Sequence, residues 1–242
     1  MARVVLVTGG SRGIGKAVAL AFAAPGTAVA VNCRTGGTEV SGVVAEIAKR
    51  GGEGMSVRAD VSDLGQVKEM VDAVVSRFGE IDVLVNNAGA SRDGLLAMME
   101  PEDWDAVLDV NLKGVFHCCR IVGRRMMAER RGAIVNVSSL SGITGLPGQT
   151  NYSAAKGGVN AFTRAFAQEV ARFGIRVNAV APGLVEGGMA AAMPEAQRER
   201  LIANTPMRRM ATPAEVANVV KFLASDEASY VTGEIVKVTG GI

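Results

Sequence analysis

Arg3-Val4-Val5-Leu6-Val7-Thr8-Gly9-Gly10-Ser11-Arg12-Gly13-Ile14-Gly15 is the stretch from which the fold is read. Its first half is an unbroken apolar, β-branched run, the pattern of a parallel strand buried on both faces. A helical pattern begins at once, over residues 16–24. Between them lie the glycines. Gly9, Gly13 and Gly15 let backbone approach an anion closely and let helix pack on strand, and the free N–H groups of a helix start favour a phosphate there. The spacing is a variant of the G-x-G-x-x-G fingerprint.

Outward from this unit the same alternation recurs. Strands are predicted at 27–32, 54–59, 81–85, 133–138, 174–180 and 234–238. Helices are predicted at 40–50, 64–78, 102–130, 152–173 and 213–225, the last with Thr212 as N-cap. Strand and helix in turn, joined by short links, argue for one doubly wound domain over 1–242, a seven-stranded parallel sheet with helices on both faces. Ligands of such a fold sit beyond the carboxyl ends of the strands. The stretch 184–205 is rich in Ala, Met and Gly and shows no core stripe before Glu195. It is read as a mobile cover over the site, with 185–205 as the covering segment.

Composition narrows the function. The 242 residues suffice for one sizeable core. A net charge of +2, evenly spread, argues against nucleic acid as a partner. No apolar run reaches the roughly 18 residues of a membrane span. The N-terminal apolar run is a strand rather than a signal peptide. Cys33, Cys118 and Cys119 have the spacing of neither a disulfide framework nor a zinc site. His117, the one histidine, excludes any mechanism or metal site needing two and is read as an ordinary helix residue. The expectation is a cytoplasmic enzyme without a metal.

The chemistry is carried by residues 139–156. Ser139 follows the strand 133–138, and Tyr152-x-x-x-Lys156 opens a helix. Four residues span about one turn, so phenol and ammonium share a face. A cation beside a phenol lowers its pKa from about 10 and makes it a usable proton donor. The Ser139 and Tyr152 hydroxyls can meet over one carbonyl oxygen. The chemistry implied is addition of hydride to, or its removal from, a carbon bearing oxygen.

Three further positions refine this reading. The second strand ends in Asn32-Cys33-Arg34-Thr35, without the carboxylate that binds a ribose 2′-hydroxyl. Arg34, assisted by Arg12, suits a 2′-phosphate, which favours NADP over NAD. Asp60 suits the adenine amino group, and Asp60 or Ser62 is the expected cap of the helix at 64. Asn111 falls inside the long predicted helix 102–130, so it is either exposed or deforms that helix.

Taken in order, Thr8-Gly-x-x-x-Gly13-x-Gly15, Asp60-Val61, Asn86-Asn87-Ala88-Gly89, Asn111, Ser139, Tyr152-x-x-x-Lys156 and Pro182-Gly183 resemble the motifs of the short-chain dehydrogenase/reductase family over the whole chain. The branch it most resembles is the 3-oxoacyl-[acyl-carrier-protein] reductases, through the run 86–96, Trp104, the run 111–116, Thr232-Gly233-Glu234 and Gly240-Gly241. The resemblance implies NADPH-dependent reduction of a 3-oxoacyl thioester in fatty acid or related acyl or polyketide synthesis. It implies that Tyr152 is the general acid, that Lys156 tunes it and holds the nicotinamide ribose, and that Ser139 polarises the carbonyl. Asn111 would hold a water linking Lys156 to solvent. The cofactor would lie along Gly9, Ser11, Arg12, Gly13, Ile14, Gly15, Arg34, Asp60, Val61, Asn87, Ala88, Gly89, Tyr152, Lys156, Pro182, Gly183 and Val185.

The resemblance also implies a homotetramer and makes an acyl carrier protein a candidate partner, for which Arg124, Arg125, Arg130 and Arg131 form a basic patch. The chain departs from the family at Gly187-Gly188, where a threonine is common, and at Arg172-Phe173, where the arginine stands one position early. Two other readings remain open at this point: a stand-alone alcohol or sugar dehydrogenase, and a non-catalytic nucleotide-binding regulator on the same fold.

Overall fold

The computed structural model describes residues 2–191 and 193–242, and in it every expected apolar run becomes a parallel strand. The strands are β1 (Arg3–Val7), β2 (Thr27–Cys33), β3 (Glu53–Arg58), β4 (Val83–Asn86), β5 (Gly132–Val137), β6 (Ile175–Pro182) and β7 (Ile235–Val238). They form one sheet in the order β3-β2-β1-β4-β5-β6-β7, all neighbours parallel. The order reverses between β1 and β4. The carboxyl ends of these two strands therefore frame the crevice where a doubly wound sheet takes its ligand.

Period-two alternation sorts the strand side chains to two faces. Val5, Val7, Val29, Val31, Val83, Val85 and Val135 point to one side. There they meet α1 (Gly13–Phe22), α2 (Thr38–Lys49) and α10 (Pro213–Ala224) through Val18, Phe22, Val43, Ile47, Val216 and Leu223. Val4, Leu6, Leu84, Ile134 and Val177 point to the other. They pack on α3 (Leu64–Phe78), α5 (Gly114–Glu129) and α7 (Thr150–Val170) through Met70, Val74, Val122, Met126, Val159 and Val170. Each fully buried aliphatic side chain of these layers contributes about 1.5–3 kcal/mol.

The predicted helix 102–130 is three segments. α4 (Pro101–Leu108) passes into a π-helical turn, Asp109–Lys113, and only then into α5. Asn111 is the cause. Its side-chain Nδ2 takes the Val107 carbonyl, one turn back, at 2.8 Å and the Ala90 carbonyl at 2.7 Å. π-turns of this kind concentrate at functional sites.

The helix at 64 is capped by Asp63, not by Asp60 or Ser62: its carboxylate accepts from the Gly65 and Gln66 amides. Asp60 is occupied by its own turn, accepting from the Ser62 amide and hydroxyl. Thr212 caps α10 in a reciprocal capping box with Glu215, as expected. Within 184–205 two helices form, α8 (Gly188–Ala191) and α9 (Glu195–Asn204), so this stretch is not a plain loop. The remaining short helix, α6 (Ser141–Thr144), follows Ser139 directly. No described helix is long and apolar enough to cross a membrane.

Candidate active site

Thr8 closes the end of β1. Its hydroxyl oxygen accepts from the backbone amides of Asn87 and Ala88 at 3.0 and 3.1 Å. The Asn87 side chain returns two bonds, to the carbonyls of Thr8 at 3.0 Å and Gly9 at 2.9 Å. The glycine loop and the Asn87-Ala88-Gly89 loop are thereby locked together at the crevice. Two glycines here have no substitute: a Cβ on Gly15 would stand 2.3 Å from the Gly9 carbonyl oxygen, and one on Gly9 would stand 2.8 Å from the Ala88 Cα. Gly13, by contrast, faces open space at φ +54°. Arg12 precedes α1 without capping it by a side-chain bond, so the first amides of the helix remain available to an anion. Ser11 lies in the turn before the helix, and Ile14 packs under it against the aliphatic core.

Asn32, at the end of β2, is a functional residue the sequence reading missed. It is buried, accepts from the Gly9 amide at 3.3 Å, and donates to the Val57 and Ala59 carbonyls at 3.3 and 3.0 Å. It thus ties the glycine loop to β3. The available signal was an amide inside an otherwise apolar run. Arg34 and Arg12 are both exposed and neither has an ion-pair partner among the described residues. On the far side of the crevice, the Val61 carbonyl meets Nδ1 of buried His117 at 3.0 Å, which requires the Nδ1–H tautomer. His117 is therefore a tie between α5 and the loop at Asp60-Val61.

The reactive group gathers above β4 and β5. Tyr152 and Lys156 are 6% and 3% exposed. The Lys156 ammonium lies 5.6 Å from the Tyr152 ring centroid and donates to the Val137 carbonyl at 2.8 Å. Gly142 makes room for this turn of α7, since a Cβ there would fall 2.5 Å from the Lys156 carbonyl carbon. Asn111 Oδ1 is buried without a partner among the described residues. It and Lys156 Nζ face Gly89 together, 2.9 and 3.8 Å from where a Cβ on that glycine would stand. Ser139 Oγ accepts from the Ser141 amide at 3.1 Å, which leaves its own proton to donate, and the hydroxyl neighbours the Tyr152 phenol. Ser138, next to it, is instead turned inward and donates to the Lys156 carbonyl.

The electrostatics depart from the expectation that Lys156 lowers the tyrosine. Burial pushes the Tyr152 phenol up to about 12; the neighbouring Ser139 hydroxyl pulls the other way and the Asp93 carboxylate pushes with burial. Burial also drives Lys156 down to about 8. The ammonium is turned to a backbone carbonyl, and burial disfavours the charged form of each group.

Pro182 and Gly183 end β6, where the Gly183 amide donates to the Val238 carbonyl and the Pro182 carbonyl accepts from the Leu140 amide. Val185 forms a bridge with Ala211 at the mouth of α10. Cys33, Cys118 and Cys119 are free and buried, and Cys119 accepts a bond from the Asn86 amide. Arg130 and Arg172 both lie against the Phe173 ring, at 5.8 and 4.9 Å from its centroid. Arg125 and Arg131 are instead engaged with Asp72, Glu80 and Asp82.

Known proteins match this chain along its length. A family model described as enoyl-(acyl carrier protein) reductase matches residues 9–242. A 3-oxoacyl-[acyl-carrier-protein] reductase FabG of Staphylococcus aureus is 46% identical over 242 residues, covering 100% of this chain and 98% of the relative. The protein of that name from Thermotoga maritima is 47% identical over 245 residues, covering 99% and 97%. A 3-oxoacyl-[acyl-carrier-protein] reductase of Synechocystis sp. is 47% identical over 242 residues, covering 100% and 97%.

Proposed function

We propose, for a chain that belongs to the short-chain dehydrogenase/reductase family, that it reduces the 3-keto group of an acyl-carrier-protein-bound thioester to a hydroxyl with NADPH. The observation that carries this reading is that the Ser139 hydroxyl neighbours the buried Tyr152 phenol, with Lys156 over the Tyr152 ring. Two neighbouring hydroxyls suit a carbonyl oxygen. The three relatives bear the ketoreductase name, and we follow them rather than the enoyl label of the family model.

The glycine loop fits a dinucleotide on structural grounds. Gly9 and Gly15 stand where any side chain would collide, and the amides at the start of α1 are uncapped toward the crevice. Asn87, Ala88, Gly89, Pro182, Gly183 and Val185 complete the wall, with Asp60 and Val61 at the adenine end. Arg34 and Arg12 are the reason for choosing NADPH: two exposed guanidinium groups without ion-pair partners among the described residues, Arg34 at a strand end lacking a carboxylate and Arg12 in the glycine loop. The bound nicotinamide supplies the hydride; the protein supplies placement and charge.

Ser139 donates to the carbonyl oxygen and draws electron density toward it. Tyr152 donates its proton to the oxygen as charge develops there. A phenol at about 12 is still a far stronger acid than the alcohol being formed, so the transfer runs downhill. Lys156 balances the negative charge left on Tyr152. Asn111 Oδ1, an acceptor with no protein donor among the described residues, stands beside Lys156 where a proton can be relayed back from solvent. Arg130 and Arg172, flanking Phe173, are the basic groups offered to an acidic carrier protein. A homotetramer and a cytoplasmic setting belong to the same proposal.

The test is loss of reduced-nicotinamide absorbance with an acetoacetyl thioester, NADPH and NADH compared in parallel, and a crotonyl thioester as the competing substrate. Turnover of the keto substrate favouring NADPH is expected. Turnover of the crotonyl substrate alone contradicts the proposal in favour of double-bond reduction, and keto turnover with NADH alone removes the phosphate role of Arg34 and Arg12.

A further inference from the structure

A chain of side-chain hydrogen bonds leads away from Ser139 to a carboxylate in a different loop. The Ser141 amide donates to Ser139 Oγ at 3.1 Å. The Ser141 hydroxyl donates to Gln149 Oε1 at 3.0 Å, and Gln149 Nε2 donates to Asp93 Oδ2 at 2.8 Å. Ser139 follows β5, Ser141 opens α6, Gln149 precedes α7, and Asp93 lies in the loop after β4. The chain therefore crosses three of the segments that surround the reactive carbonyl.

Each bond fixes the sense of the next. An amide can present either its oxygen or its nitrogen to a neighbour. Against a carboxylate only the N–H end is attractive, so Asp93 turns the Gln149 oxygen toward Ser141. That oxygen is an acceptor only, so the Ser141 hydroxyl must donate to it, which anchors Ser141. The Ser141 amide then occupies the acceptor side of Ser139 Oγ. A hydroxyl carries one proton and two lone pairs; with one lone pair held by the Ser141 amide, the Ser139 proton is left for another acceptor, such as a substrate oxygen.

We propose that Gln149 and Asp93 are positioning residues that hold Ser139 in the orientation in which it donates to the carbonyl. This rests on the ketoreduction reading given above. Neither residue need touch the reacting atoms. The backbone around them is held independently of their side chains. The Gly94 amide donates to the Gly148 carbonyl at 2.8 Å, and Asn151 Nδ2 donates to the Arg92 carbonyl at 2.9 Å. Removing the Gln149 side chain leaves this scaffold standing, so its loss acts on Ser139 rather than on the fold.

The experiment compares Gln149→Ala, Asp93→Ala, Asp93→Asn and the double alanine variant with the unmodified protein. Steady-state turnover of an acetoacetyl thioester, NADPH affinity by fluorescence, and amide hydrogen exchange over residues 139–143 without ligand are all measured. Gln149→Ala and Asp93→Ala should each lower kcat about ten- to a hundredfold, leave NADPH affinity unchanged, and speed exchange in that segment. The double variant should lose no more than the worse single one, since both act through one chain. Asp93→Asn should restore part of what Asp93→Ala loses, because its amide oxygen can still accept from Gln149, although its own N–H no longer forces the sense of the Gln149 amide.

Unchanged kcat or unchanged exchange in Gln149→Ala overturns the inference. Additive losses in the double variant do so as well, as does an Asp93→Asn variant as impaired as Asp93→Ala. If the unmodified protein turns over no 3-oxoacyl thioester, the functional reading fails, and hydrogen exchange alone still decides whether Gln149 and Asp93 hold the Ser139 turn.

Discussion

The side-chain oxygen of Asn32 accepts from the backbone amide of Gly9 at 3.3 Å, joining the end of β2 to the first glycine of the loop after β1. The side-chain nitrogen of Asn32 donates to the carbonyls of Val57, in β3, and Ala59, just past it. One buried side chain thus holds the glycine loop, and with it the floor of the dinucleotide crevice, to the outer half of the sheet. Replacing Asn32, itself 1% exposed, with Ala strips these largely buried groups of their partners. The expected cost is about 2–3 kcal/mol of unfolding free energy, read from urea denaturation, together with weaker cofactor binding. A stability change within about 0.5 kcal/mol, the range of ordinary surface substitutions, contradicts the role given to Asn32.

Gly15 and Gly13 should respond differently to alanine. At Gly15 the new methyl group falls on the Gly9 carbonyl and the Asn87 amide nitrogen, 2.3 and 2.4 Å away. Both belong to the lock between the two loops, so Gly15→Ala should cost about 3 kcal/mol and abolish dinucleotide binding. At Gly13 the methyl group meets nothing within 4 Å, and only the positive φ opposes it. That is a penalty of about 1–2 kcal/mol. Denaturation and cofactor fluorescence on the two variants separate the cases; equal losses sink the packing argument.

The buried pair makes ligand-free stability depend on alkaline pH with two opposite signs. Lys156 ionises at about 8 in the folded chain against an ordinary 10.5. Between these values the unfolded chain binds more protons, so this residue makes stability rise with pH, by up to about 1.4 kcal/mol per unit. Tyr152 runs from an ordinary 10 to about 12. Its folded form keeps the proton longer, so its contribution is complete below pH 10 and is lost between 10 and 12. Urea midpoints from pH 7.5 to 9.5 should climb more steeply in the unmodified protein than in Lys156→Met. Parallel curves contradict the burial of an ammonium at this position.

Cofactor choice rests on the end of β2. Reversing the charge with Arg34→Glu places a carboxylate where a 2′-phosphate is proposed to sit. The ratio of kcat/KM for NADPH over NADH should fall by at least about tenfold, the equivalent of one charge-assisted hydrogen bond. A ratio that does not move assigns the preference elsewhere.

Much of this was legible in the sequence, and the exceptions share a cause. The central strands, buried on both faces, read as near-continuous apolar runs, while β3 and β7, only partly buried at the edges, were placed by their alternation with helices. The Tyr152-x-x-x-Lys156 pair was visible because one helical turn sets its geometry. What stayed open or escaped depends on distant partners. That Asn111 deforms its helix was one of two open readings, and choosing it requires the Ala90 carbonyl, twenty-one residues upstream. Asn32 finds its three partners on the glycine loop, in β3 and just past it. The direction of the Tyr152 shift follows from how deeply the phenol is buried, which spacing does not encode. Asp63 outcompeted Asp60 as a cap because Asp60 was already bonded to Ser62, a local contest between neighbours of similar chemistry.

The most direct test of the account is Tyr152→Phe, which removes one oxygen from a buried ring and leaves the ring's packing against Val107 and Ala155 in place. With an acetoacetyl thioester and NADPH, turnover should fall by at least about a hundredfold, the scale of lost proton transfer, while NADPH affinity measured by fluorescence stays within a factor of about two. A variant that retains most of its turnover contradicts the assignment of Tyr152 as the proton donor, and with it the carbonyl chemistry built around that residue.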